Sequence, residues 1–292
     1  MRIDDKMTLK YFNDLAYEEI GEENNETILF LHTKLLDKWI WKKQKESYNQ
    51  CFNGYHCIFL DLPNHGDSKS EDDFSIKMAS EKISEFIEYL TEKKDKYNVN
   101  KVNIVALGLG GPIAIEIADK DPNLIDNLIL SGMEIADFKE SKSDSIVNRL
   151  AKTQSEYLNE KPDAFIIKAY LRYFGISKEY FDDVERILER SIKEEERIAF
   201  ESLNYTISDE LMNNEELLEK ENILIIYGSK EDLNCTKSAI KLKGMFKNGK
   251  LAEIRKGNHL WNIIDDELFN AIIIDFIKNN HIEESSQVRI LE

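Results

Sequence analysis

Residues 105–111 read Val105-Ala106-Leu107-Gly108-Leu109-Gly110-Gly111, and the fold of the chain is decided there. The stretch follows the apolar run Val102-Asn103-Ile104-Val105 and leads into Pro112-Ile113-Ala114-Ile115-Glu116-Ile117-Ala118. The first run has strand character and the second helical character, so the glycines mark a sharp strand-to-helix turn. Outward from this unit, strand-like runs at residues 15–20, 27–31, 57–60 and 127–130 alternate with helical patterns. Three of these runs are nearly continuous in apolar residues, as strands covered on both faces by helices are. The pattern predicts an α/β fold with a doubly wound, mostly parallel sheet. Between residues 74 and 96, Ile76, Met78, Ile83, Phe86, Ile87 and Leu90 fall mainly at helical spacing, which predicts a long crossover helix.

The pattern changes from about residue 134 to residue 220, where helical periodicity and many charges replace strands, as at residues 146–157, 164–174, 180–192 and 195–203. Strand character returns at residues 222–227 and 251–254, and a final helix is expected over residues 267–278. An inserted helical segment of this kind reads as a cap over one end of the sheet, which excludes water and shapes a pocket. The expected organisation is therefore a core of residues 1–133 and 221–280, a cap of residues 134–220, and a polar C-terminal tail of residues 281–292. The cap aromatics Phe165, Tyr170, Tyr173, Phe174, Tyr180 and Phe181 suit either an apolar pocket lining or the cap's own core.

The 292 residues carry 56 acidic and 39 basic side chains, a net charge of −17. Such a balance opposes nucleic acid or an anionic membrane as partner, because both require a concentrated basic face. Acidic residues at the start, Asp4 and Asp5, and the lack of a long apolar run argue against a signal peptide or a span, so a cytoplasmic location is expected. Cys51, Cys57 and Cys235 form no C-x-x-C pair and read as reduced packing residues. The spacing of Gly108, Gly110 and Gly111 does not match a dinucleotide fingerprint, and no metal cluster stands out, so no cofactor and no metal are expected.

Four stretches then carry a family resemblance. They are Ile28-Leu29-Phe30-Leu31-His32, Asp61-Leu62-Pro63-Asn64-His65-Gly66-Asp67-Ser68, the turn at 105–111, and Gly257-Asn258-His259. In this order the chain resembles the alpha/beta-hydrolase superfamily over most of its length outside the cap. The resemblance implies a nucleophile elbow at 106–110, whose central position normally carries serine and here is Gly108. It implies that His259 is the general base and that the acid partner lies in Gly228-Ser229-Lys230-Glu231-Asp232, with Glu231 favoured by spacing and Asp232 by residue type. Glu134 is a remoter candidate for the acid. The oxyanion donors are expected to be the backbone N–H of Leu109 and one from the loop at Thr33 or Lys34, where the family usually has glycine after the histidine. His32 and His65 are expected to shape loops.

Glycine at position 108 tolerates a strained backbone but offers no nucleophile, and losing a triad serine costs on the order of 10⁶ in rate. Three readings follow. The chain is a carboxylic-ester-type hydrolase whose serine is replaced, a pseudoenzyme that binds a small molecule or partner in the capped pocket, or a non-hydrolytic enzyme using the histidine–acid dyad. An apolar or ester- or amide-like small molecule is the ligand class these readings share.

Overall fold

A computed structural model describes residues 7–92, 99–135, 168, 171–172, 175–194 and 205–291. Nine strands form one sheet: β1 (Lys10–Phe12), β2 (Leu15–Ile20), β3 (Glu26–Leu31), β4 (Tyr55–Leu60), β5 (Val102–Leu107), β6 (Ile125–Ser131), β7 (Ile223–Gly228), β8 (Lys250–Ile254) and β9 (Val288–Leu291). Their order is β1-β2-β4-β3-β5-β6-β7-β8-β9. The six strands from β4 to β8 pair in parallel, while β1, β2 and β9 pair antiparallel at the two edges.

Side chains of successive residues in a strand point to opposite faces, and here both faces are apolar. On β3, Leu29 and Leu31 join one buried cluster while Ile28 and Phe30 join the other; on β4, Ile58 and Leu60 oppose Cys57 and Phe59 in the same way. The first cluster is completed by the helices Ile76–Glu92, Gly110–Lys120 and Leu233–Met245. Trp41, Trp261, Phe269, Ile273 and Phe276 complete the second, the last three from the helix Asp266–Asn279. A strand buried on both faces cannot alternate in polarity, which is why these runs are continuous in the sequence.

Parallel pairing places the carboxyl ends of β3, β5, β6, β7 and β8 along one edge of the sheet, and the loops that leave those ends meet there. Within the segment expected to form a cap, the described residues include the helix Phe181–Glu194, whose Val184, Ile187 and Leu188 join the second cluster. Tyr180 packs edge-on against Trp39 at 5.5 Å, and Arg190 reaches Asp67 at 3.0 Å. Tyr180 and Phe181 thus act as packing residues, whereas Phe165, Tyr170, Tyr173 and Phe174, and the helices expected at 146–157 and 195–203, lie outside the described residues.

The reading of residues 281–292 as a tail outside the fold needs correction. Val288–Leu291 forms β9 on the outer edge of β8, Val288 is buried, and Arg255 N–H donates to Gln287 O at 2.8 Å. Of the four residues of β9 only Val288 is buried, and so short a run carries too little alternation to mark a strand in the sequence. The edge strand β1 has three residues, none buried, and is likewise too short to show alternation. Cys51, Cys57 and Cys235 stand as free thiols. Among the described residues no helix is long and apolar enough to cross a membrane.

Candidate active site

β5 ends at Leu107, and Gly108 turns the chain into the next helix with φ +53°. Its N–H donates to Ser131 O at 2.9 Å, and its carbonyl accepts from Gly111 N–H at 3.0 Å. An L-residue rarely adopts such a φ, so glycine fits the turn itself. The space beside it is already taken. A Cβ built on Gly108 would stand 2.1 Å from Thr33 Oγ1, 2.8 Å from Thr33 Cβ and 2.9 Å from His259 Nε2. Leu109 is the N-cap of the helix Gly110–Lys120, so its N–H lies at the helix N-terminus.

Thr33 arrives from the end of β3 and is held by His32. Leu62 N–H donates to His32 Nε2 at 2.9 Å, which leaves Nδ1 as the protonated nitrogen, donating to Thr33 O at 2.7 Å. Burial holds the His32 pKa well below its usual value, so the ring is a neutral, directional anchor for the Thr33 backbone. Lys34 follows on the same loop, half-buried, and Leu35 is left-handed at φ +61°. His65 is similarly fixed: its Nδ1 lies 2.9 Å from Pro63 O, its ring packs edge-on against His32 and Phe74, and burial lowers its pKa to about 4. Asp61 braces this region by accepting from Lys38 N–H at 2.7 Å, Lys38 Nζ at 2.5 Å and Asp67 N–H at 2.8 Å.

β7 and β8 bring in the other two side chains. Gly228, at the end of β7, donates its N–H to Glu231 Oε2 at 2.7 Å, and Glu231 N–H returns to Gly228 O at 3.0 Å, closing a tight turn around the carboxylate. Lys230 N–H donates to Gly257 O at 2.9 Å, which ties this turn to the loop carrying His259. The other carboxylate oxygen, Glu231 Oε1, accepts from His259 Nδ1 at 2.8 Å. Gly132, at the end of β6 with φ +60°, makes room for the pair: a Cβ there would lie 2.3 Å from Glu231 Oε1 and 2.9 Å from His259 Nδ1.

A carboxylate accepts only, so His259 carries its proton on Nδ1 and presents Nε2 as an acceptor. Thr33 Oγ1 lies 3.0 Å from that nitrogen and therefore donates its hydroxyl proton to it. The result is a continuous hydroxyl–imidazole–carboxylate line, Thr33 to His259 to Glu231, with Thr33 and the Glu231 side chain buried and His259 partly open, its side chain 20% exposed.

Of the two acids expected beside His259, Glu231 is the one whose carboxylate meets Nδ1, while Asp232 opens the helix Leu233–Met245 as its N-cap. Glu134 accepts from Cys235 Sγ at 3.6 Å. Among the described residues, Glu231, Cys235 and His259 offer potential metal-ligand atoms within 4.8 Å of one another. Burial, then the Glu231 and Glu134 charges, push the Cys235 thiol pKa well up. A metal needs the thiolate, and Glu231 already engages His259 Nδ1, so this donor set suits a hydrogen-bonded pair better than an ion.

The sequence model for the alpha/beta hydrolase fold matches residues 26–266. The chain belongs to this alpha/beta hydrolase family. Solved structures agree on the fold. An alpha/beta hydrolase enzyme from a Medee basin deep-sea metagenome library superposes with a TM-score of 0.70 at 16% identity, covering 95% of this chain and 99% of that one. A thermophilic esterase from Thermogutta terrifontis gives 0.69 at 18% identity, over 92% and 94%. The thioesterase domain from the curacin biosynthetic pathway gives 0.64 at 17% identity, over 91% and 98%. No curated protein sequence matches the chain significantly. Within this alpha/beta hydrolase, sequence reasoning paired Thr33 with Gly108 as two departures from the family pattern but did not place the Thr33 hydroxyl beside position 108. Both departures from the family pattern were visible, a missing hydroxyl at one motif and an added hydroxyl at another, and together they signal one site.

Proposed function

We propose that the protein hydrolyses carboxylic acyl compounds of the ester type, with His259 as general base and Glu231 as the acid that orients it. The supporting observation is the 2.8 Å contact between His259 Nδ1 and Glu231 Oε1, which leaves Nε2 as an acceptor beside the elbow turn. In this reading Nε2 takes the proton of the attacking hydroxyl, and the Glu231 carboxylate stabilises the imidazolium that forms. The same proton then goes to the leaving oxygen. The backbone N–H of Leu109, with that of Thr33 or Lys34, supplies the donors for the oxyanion of the tetrahedral intermediate. Gly108 contributes its turn and nothing else, so an acyl-enzyme on residue 108 does not form. The cap closes over the carboxyl ends of the strands and presents an apolar or ester- or amide-like small molecule to the base.

Turnover of a panel of nitrophenyl esters tests this, measured for the natural chain beside His259→Ala. Loss on the order of 10² or more with His259→Ala supports the reading. Absence of turnover in the natural chain, or turnover indifferent to His259→Ala, contradicts it. The second reading, a pseudoenzyme that binds a small molecule, is favoured by Thr33 filling the place of the usual side chain at 108. It predicts ligand binding with no turnover.

A further inference from the structure

We propose that the hydroxyl of Thr33 is the nucleophile of this site, delivered from the loop after β3 instead of from the turn after β5. The proposal rests on the acyl-hydrolase reading above and deepens it by naming the attacking atom. Thr33 Oγ1 occupies the space into which a side chain at 108 would project, 2.1 Å from the position of the absent Cβ. It is also within hydrogen-bond distance of His259 Nε2, at 3.0 Å, in the donor-to-acceptor sense that proton removal requires. The atom is held there from both sides. Thr33 is branched at Cβ, which restricts its rotamers, and its carbonyl is fixed by the neutral His32 at 2.7 Å. Glycine at 108 is then a requirement, since any side chain would evict the hydroxyl.

The chemistry balances without an added reagent. Thr33 Oγ1 attacks the acyl carbon as its proton passes to His259 Nε2; the new C–O bond forms and the carbonyl π pair moves onto oxygen. Collapse of that intermediate breaks the bond to the leaving group, which takes the proton from Nε2, and the acyl group remains as an ester on Thr33. Water then attacks, giving a proton to Nε2, and the second collapse breaks the Thr33 ester, returns the proton to Oγ1 and releases the carboxylic acid. A secondary alcohol is more hindered than serine, so acyl groups on good leaving groups, thioesters and activated esters, are the expected substrates.

The test uses the full chain, Thr33→Ser, Thr33→Val and His259→Ala, with nitrophenyl acetate and butyrate for turnover, and a fluorophosphonate for trapping read by intact mass and peptide mapping. Thr33→Val keeps shape and removes the hydroxyl, and a thermal melt checks that it folds. The expected result is a phosphonate adduct on the peptide containing Thr33, absent in Thr33→Val and His259→Ala. Turnover should fall on the order of 10³ or more in kcat for Thr33→Val with little change in KM, and persist in Thr33→Ser. Turnover that depends on His259 but is unchanged in Thr33→Val, without an adduct, overturns the nucleophile and leaves the general-base reading standing. An adduct on Thr33 in a chain with no turnover supports the nucleophile and overturns the hydrolase reading. Neither adduct nor turnover overturns both.

Discussion

At position 108 two constraints coincide, a backbone in the left-handed region and a neighbouring threonine in the way. Gly108→Ser alone should therefore not build a conventional site. Its Cβ would meet both Oγ1 and Cβ of Thr33, and rotating the threonine moves only the first of these. The expected outcome is a fold destabilised by about 1–3 kcal/mol in urea unfolding, with no gain in ester turnover. Gly108→Ser combined with Thr33→Gly removes the obstruction and should recover both. At the proposed acid, Glu231→Gln should lower kcat by on the order of 10² to 10⁴, because the amide no longer stabilises an imidazolium, whereas Asp232→Asn should change it less than tenfold. Part of the candidate site's geometry was legible in residue order: the turn at Gly108, His259 and the loop of Glu231, expected near one another from the order of the motifs, do come together. The choice of Glu231 over Asp232 was not, since it depends on a turn closed by Gly228 N–H on Oε2. Nor was Thr33, because proximity between residues 33 and 259 is a product of parallel strand order and not of spacing along the chain.

Elements show the same division between what periodicity reveals and what pairing creates. The central strands were readable because burial on both faces leaves continuous apolar runs such as Ile28-Leu29-Phe30-Leu31. The edge strands β1 and β9 were not, because a short strand paired on one side needs few apolar residues. β9 nonetheless buries Val288 against the second cluster, so truncation after residue 284 should cost about 1.5–3 kcal/mol, seen as a lower urea midpoint with turnover kept. Gly132 links the end of β6 to the site. Gly132→Ala, at φ +60° and with its Cβ 2.3 Å from Glu231 Oε1, should displace the carboxylate and depress kcat more than it lowers stability.

Across the whole molecule, the loops at the carboxyl ends of β3, β5, β7 and β8 meet around His259, and the loop after β3 is held by the buried neutral His32, itself packed on His65. His65 is lowered from 6.5 to about 4 by burial, and His32 lies well below its usual value for the same reason. A depressed folded-state pKa contributes stability that is present above about 6.5 and lost as pH falls through about 4. Urea unfolding at pH 7 and pH 4.5 should therefore show a loss to which His65 contributes about 2 kcal/mol, and His65→Gln should shrink the difference by that amount while leaving the share due to His32. Such a dependence belongs to the scaffold and not to the chemistry.

A double-mutant cycle on kcat/KM tests the account most directly, with Thr33→Val, His259→Ala and their combination assayed on nitrophenyl esters. If hydroxyl and imidazole form one proton-transfer line, each single change removes the line and the double variant is no slower than the worse single one. Additive losses, each change costing the same in the presence or absence of the other, would contradict it.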